Sequence, residues 1–151
     1  MKANEIMIKQ VYTVNENDTV RSVIKKFMEY HISGLPVVND SNEIVAYVSD
    51  GDIMRHIGKH HDIVFSTFAF ITVVKGDDDD FAERTQKLLN LNIMEIAKQK
   101  VIKVLWDDDI ENIATILGEK KIKKLPVEHN GVLVGIISRG DVIRRSFESI
   151  L

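Results

Sequence analysis

Residues Leu35 to Arg55, LPVVNDSNEIVAYVSDGDIMR, are restated by Leu125 to Arg145, LPVEHNGVLVGIISRGDVIRR. Leu35-Pro36-Val37 falls on Leu125-Pro126-Val127 at an offset of 90. After one deletion in the second turn, Ser49-Asp50-Gly51-Asp52 falls on Ser138-Arg139-Gly140-Asp141 at an offset of 89. Half of a 151-residue chain lies near the lower limit for burying a core of its own, so two like halves must pack together. Whatever the repeated polar motif does is expected where the halves meet.

Each half follows one pattern. Val11 to Val14 is a short β-prone run, and Asp18 or Thr19 caps a helix with Val20, Val23, Ile24, Phe27 and Met28 on one face. Leu35 to Val38 and Ile44 to Val48 flank a turn-rich stretch and form a hairpin, and Ser49 to Asp52 opens a second helix. In the second half Ile110, Ile113, Ala114 and Leu117 lie 90 residues after Val20, Val23, Ile24 and Phe27, and Asn130-Gly131 is a strong hairpin turn. Ile6-Met7 and Ile93-Met94 are matching lead-ins. The fold class is α/β in composition (α+β in layering): two pseudo-symmetric β-α-β-β-α units, over residues 1–58 and 92–151, separated by an insert at 59–91. Ile63 to Val74, IVFSTFAFITVV, is apolar on both alternating faces, so periodicity alone does not separate a buried strand from a buried helix, and its β-branched and aromatic residues favour extended structure. Phe65, Phe68 and Phe70 are most simply the core of the insert; if exposed, they mark a subunit interface. Asp77 to Asp80 precede a helix bearing Phe81, Thr85, Leu88 and Leu89.

Composition narrows the function classes. Hydrophobic residues at 44% and charged residues at 28% are ordinary for a folded domain, and a net charge of −3 does not nominate the whole surface for nucleic acid. Without cysteine there is neither a disulfide framework nor a thiolate metal site. The start lacks a signal peptide's apolar run and no stretch is as long as a membrane span, so a cytoplasmic protein is expected.

The duplicated β-α-β-β-α pattern, with Leu-Pro-Val on the second strand and Ser-x-Gly-Asp where the third strand meets the second helix, resembles a stand-alone pair of cystathionine-β-synthase (CBS) domains. That resemblance implies two units packed through their sheets as a pseudo-symmetric disc (a Bateman module), a homodimer of discs, and clefts that bind adenine nucleotides or adenosyl ligands: AMP, ADP, ATP or S-adenosylmethionine. It implies sensing rather than catalysis, no required cofactor, and an unidentified target protein. It places Ser138, Arg139 and Asp141 in one cleft with Tyr12, Ile32 and Ser33, and Ser49 and Asp52 in the other with Ile102, Ile122 and Lys123. Each aspartate suits a ribose diol, because a carboxylate accepts strong charge-assisted hydrogen bonds. The serines and the amides at Gly51 and Gly140 suit phosphate. Ala46 departs from the glycine kept at Gly135, and Asp50 stands where Arg139 does; both rank the Ser138/Asp141 cleft first for a phosphorylated ligand.

Simpler readings stand beside these. Asp52 and Asp141 also suit helix capping. His56, His60, His61 and Asp62 lack a spacing that fixes a third metal ligand, and Asp77 to Asp80 lack the alternation of a calcium loop, so no metal site is expected. Lys120, Lys121, Lys123 and Lys124 are more simply surface and phosphate attraction than a nucleic-acid contact. A nucleotide hydrolase has no supporting loop or nucleophile motif, whereas an adaptor working through its insert, with vacant clefts, is the main alternative.

Overall fold

The computed structural model describes residues 1–151. The first unit contains β1 (Val14–Asn15), α2 (Val20–Tyr30), β2 (Gly34–Val38), β3 (Ile44–Ser49) and α3 (Asp50–Ile57), preceded by the short helix α1 (Ala3–Ile6). After β4 (Ile63–Ser66), β5 (Ile71–Val74), α4 (Phe81–Leu89) and a 3₁₀ turn at Ile93–Glu95 comes the second unit. It comprises β6 (Val104–Leu105), α5 (Ile110–Glu119), β7 (Lys124–His129), β8 (Val132–Ser138) and α6 (Arg139–Phe147). Both units therefore have the β-α-β-β-α order expected from the repeat, although the first strand is confined to Val14–Asn15 and does not begin at Val11.

The three-stranded sheets have the orders β1-β2-β3 and β6-β7-β8, each with a parallel first pair and an antiparallel second pair. Val14 lies against Val37 and Val104 against Val127, and both hairpins shift register just after those valines. The duplication thus extends to irregularities of the ladder. Asn130 and Gly131 both have positive φ, as a two-residue turn matching the strand twist requires. On α2, Val20 and Val23 are buried and Ile24 and Phe27 pack against the core, but Met28 is exposed; on α5, Ile113 and Leu117 are buried and Ala114 is not. The buried stripe is therefore narrower than periodicity implies.

The units are joined by exchanged lead-ins. Ala3 and Ile6 lie in the core of the second unit beside Val104, Ile113 and Leu125, whereas Ile93 and Ile96 lie in the core of the first beside Val14, Val20 and Leu35. Backbone bonds repeat the exchange: the Ala3 amide donates to Asp108 and the Ile93 amide to Asp18, both at 90-residue equivalence. Ile8 pairs with Ile136, and Lys98 pairs with Tyr47. Each repeat is therefore completed by the segment that precedes the other in sequence.

The insert divides into two parts. Leu88 of α4 joins the first core, and Asp80 caps that helix by accepting from the Glu83 amide at 2.9 Å. The β4–β5 hairpin lies outside both cores; Phe65, Phe68 and Phe70 are exposed, so the expectation that they form an insert core is corrected. Two short strands cannot cover each other's faces, and no other element packs substantially on them. No helix is long and apolar enough to cross a membrane.

Candidate functional site

Each repeated Ser-x-Gly-Asp motif turns a strand directly into a helix: β3 ends at Ser49 and α3 starts at Asp50, and β8 ends at Ser138 where α6 follows. This geometry draws the aspartate back over the helix N-terminus. Asp52 Oδ2 accepts from the Ser49 amide at 2.9 Å and its hydroxyl at 3.2 Å; Asp141 Oδ2 accepts from the Ser138 amide and hydroxyl, both at 2.8 Å. Arg55 and Arg144 pair with the other carboxylate oxygens, Arg144 at 2.6 Å. Asp52 and Asp141 are the two buried polar side chains of the chain. Both perform the capping that the simpler reading proposed, and both retain carboxylate lone pairs beyond it.

Burial opposes ionisation of Asp141, but the Ser138 amide and hydroxyl and the Arg144 guanidinium outweigh it and hold the carboxyl below its ordinary value of 3.8. A depressed folded value contributes stability that is present above the unfolded value and lost as pH falls through the folded one. Asp141→Asn should therefore be less stable than the parent at pH 7, with the gap closing as pH drops below 3.8. Urea unfolding at both pH values measures it, and a gap that does not change with pH would contradict the assignment.

A cavity of about 240 Å³ opens between the units. From the first unit it is lined by Ser33, Gly34, Tyr47, Ser49, Asp50 and Asp52; from the second by Val101, Ile102, Ile122 and Pro126 with a ring of lysines. Ser49, Asp52, Ile102, Ile122 and Lys123, grouped by resemblance, thus share one space. Ser33, which the resemblance groups with the other cleft, lines this cavity too, because its carbonyl accepts the Asp50 amide at 2.7 Å and fixes the β2 approach against α3.

The remaining sequence-nominated residues are not brought around a comparable space. Tyr12 stacks on Tyr30 with ring centroids 3.9 Å apart, Ile32 packs on the first core, and Arg139 donates to the Lys120 carbonyl at 3.3 Å. Asp141 instead borders a hollow of about 290 Å³ with Met7, Arg144, Arg145 and Glu148, whose lining includes neither Tyr12 nor Ile32. Gly135 accounts for part of the asymmetry: a Cβ there would lie 2.5 Å from Met7 Sδ, so this glycine admits the exchanged lead-in.

The distribution of charge runs against the ranking drawn from Asp50 and Arg139. Lys98, Lys100, Lys121, Lys123 and Lys124 surround the first cavity against only Asp50 and Asp52, making it locally cationic in a chain of net charge −3. Such a concentration of one sign in a concave site attracts anions. Sequence reasoning missed Gly34, Tyr47, Lys98, Lys100 and Val101. Lys98 reaches the cavity because its backbone pairs with Tyr47 on the other unit, a contact that no local pattern encodes. The Tyr47 ring lies over Gly34, where a Cβ would come within 2.7 Å of its hydroxyl. Burial, and then Asp50, push the Tyr47 phenol up to about 12, so it remains a donor at neutral pH. Outside the cavity, His60 lies 2.8 Å from the Asp77 carboxylate and 2.6 Å from the Arg55 carbonyl, and Asp79 pairs with Lys87 at 2.9 Å.

The CBS domain family matches residues 3–59 and 93–148, both repeats with their lead-ins. The chain belongs to the CBS domain family. As a tandem CBS pair it is 31% identical over 153 residues to the uncharacterised protein MJ1426 of Methanocaldococcus jannaschii, spanning 95% of this chain and 89% of that one. Its fold is shared with CBSX2 crystallised in complex with AMP, with a TM-score of 0.73 at 22% identity over 98% and 97% of the two chains. It is shared also with MJ1225 of M. jannaschii, proposed as an archaeal homologue of γ-AMPK, with a TM-score of 0.74 at 21% identity; there this chain covers 47% of the longer protein.

Proposed function

We propose that this CBS pair binds an adenine nucleotide in the cavity floored by Asp52, and that occupancy alters how the two repeats meet and hence how the protein engages a target protein or a second copy of itself. The observation that carries this reading is a cavity between the repeats that combines a buried carboxylate, apolar side chains and five lysines. Ile102, Ile122 and Pro126 offer flat apolar surface to a base, Asp52 an acceptor to the ribose, and the lysines charge to phosphate. AMP complexed with CBSX2, on the same fold, supports the ligand class. The role is regulatory and not catalytic, and we place it in the cytoplasm.

Five lysines favour the more highly charged members of the series AMP, ADP and ATP over S-adenosylmethionine, whose sulfonium is repelled. Calorimetric titration should show affinity rising with phosphate number, ATP exceeding S-adenosylmethionine by roughly tenfold or more, and the advantage shrinking as salt screens the lysines. No binding by any of the four at millimolar concentration would remove the adenine reading; tightest binding by S-adenosylmethionine would remove the role given to the lysines.

A further inference from the structure

The β4–β5 hairpin is anomalous by its own pattern. In its register Ile63 lies opposite Val74, Val64 opposite Val73, Phe65 opposite Thr72 and Ser66 opposite Ile71. Because alternate residues face opposite sides, Ile63, Phe65 and Val74 crowd one face, and Val64, Val73 and Ile71 the other. A hairpin lying on its own domain has one polar face; one apolar on both is built for burial on both. Here neither face is covered: Phe65 is 54% exposed, Phe70 72% and Ile71 75%.

We propose that the occupant is the same hairpin of a second copy, the two pairing about a twofold axis. Three observations select this partner. With a phenyl group offering about 200 Å² and aliphatic groups somewhat less, the hairpin shows water on the order of 800–1,000 Å² of apolar side chain, about what one side of a stable interface supplies. No charge occurs from Ile63 to Val74, so two copies meet without like-charge repulsion and with the apolar character of a homodimer core. Each strand also has one unpaired edge, and a twofold axis lets such an edge pair with itself. The acidic run Asp77 to Asp80 beside the hairpin's base opposes an anionic lipid surface or a nucleic acid.

Sedimentation velocity of the full chain over a concentration series tests the proposal, compared with the double variant Phe65→Glu/Ile71→Glu, which charges both faces. The parent should dimerise, and the variant's dissociation constant should rise by roughly a hundredfold with its circular dichroism spectrum unchanged, since neither side chain belongs to a core. The chain has no cysteine, so Ser66→Cys on β4 and Thr72→Cys on β5 report proximity cleanly, and at least one should give disulfide-linked pairs under mild oxidation. A parent that stays monomeric, including one whose hairpin binds neutral lipid vesicles, would overturn the proposal. So would a dimer that the double variant leaves intact, or one that neither cysteine cross-links. Nucleotide binding can fail without affecting these outcomes.

Discussion

Asp52→Asn should lower affinity for the preferred nucleotide by roughly 10- to 100-fold, because a hydrogen bond to a charged acceptor is worth about 1.5–3 kcal/mol and the amide keeps only one oxygen to share among the Ser49 amide, the Ser49 hydroxyl and the ligand. Asp141→Asn should leave that affinity nearly unchanged, since Asp141 borders a different hollow. The pair is informative because the two aspartates are chemical twins: both are buried, both cap a helix and both face an arginine three residues on. A general loss of stability would affect the two variants alike, so unequal binding isolates the cavity. Calorimetry on both proteins, with thermal unfolding as a check on folding, decides it. Equal losses, or no loss in Asp52→Asn, would sink the assignment.

The exchanged lead-ins lead to the second large effect. Ile93 is fully buried and Ile6 nearly so, and truncating such a side chain to alanine typically costs about 2–5 kcal/mol. That is a large share of the roughly 5–15 kcal/mol by which domains are stable. The cost should fall on the opposite repeat: Ile6→Ala should loosen β6 to β8, and Ile93→Ala should loosen β1 to β3. Hydrogen exchange with peptide-level readout would show amide protection lost across the repeat boundary. If each substitution loosens the repeat it adjoins in sequence, the exchanged packing is not what holds the cores together.

How much of this was legible beforehand varied with the range of the interaction. Strand-helix-strand-strand-helix order follows from Val20, Val23, Leu35 and their partners 90 residues on, because alternation and helical spacing are local. The group Ser49, Asp52, Ile102, Ile122 and Lys123 also emerged, through resemblance to a duplicated family. Tyr47 and Lys98 did not: a tyrosine in a strand and a lysine in a connector carry no signal until the backbone of one pairs with the other. Resemblance groups Ser33 with Ser138, whereas packing sets it beside Asp50, and Met7 over Gly135 and Tyr47 over Gly34 give the two motifs different surroundings. Apolar pattern makes the phenylalanines of the insert read as a core because it reports a need for burial without reporting what supplies it.

Two like units, the buried faces of their helices and strands, and an acidic side chain at the start of each second helix can all be read from the chain alone, since they are written in short-range spacing and in its repetition 90 residues on. Long-range packing sets the rest: each lead-in completes the other unit, the lysines gather around Asp52 and not Asp141, and the insert hairpin stands clear of both cores. Those outcomes depend on contacts between residues tens of positions apart, where packing geometry selects among arrangements that local pattern leaves equally open.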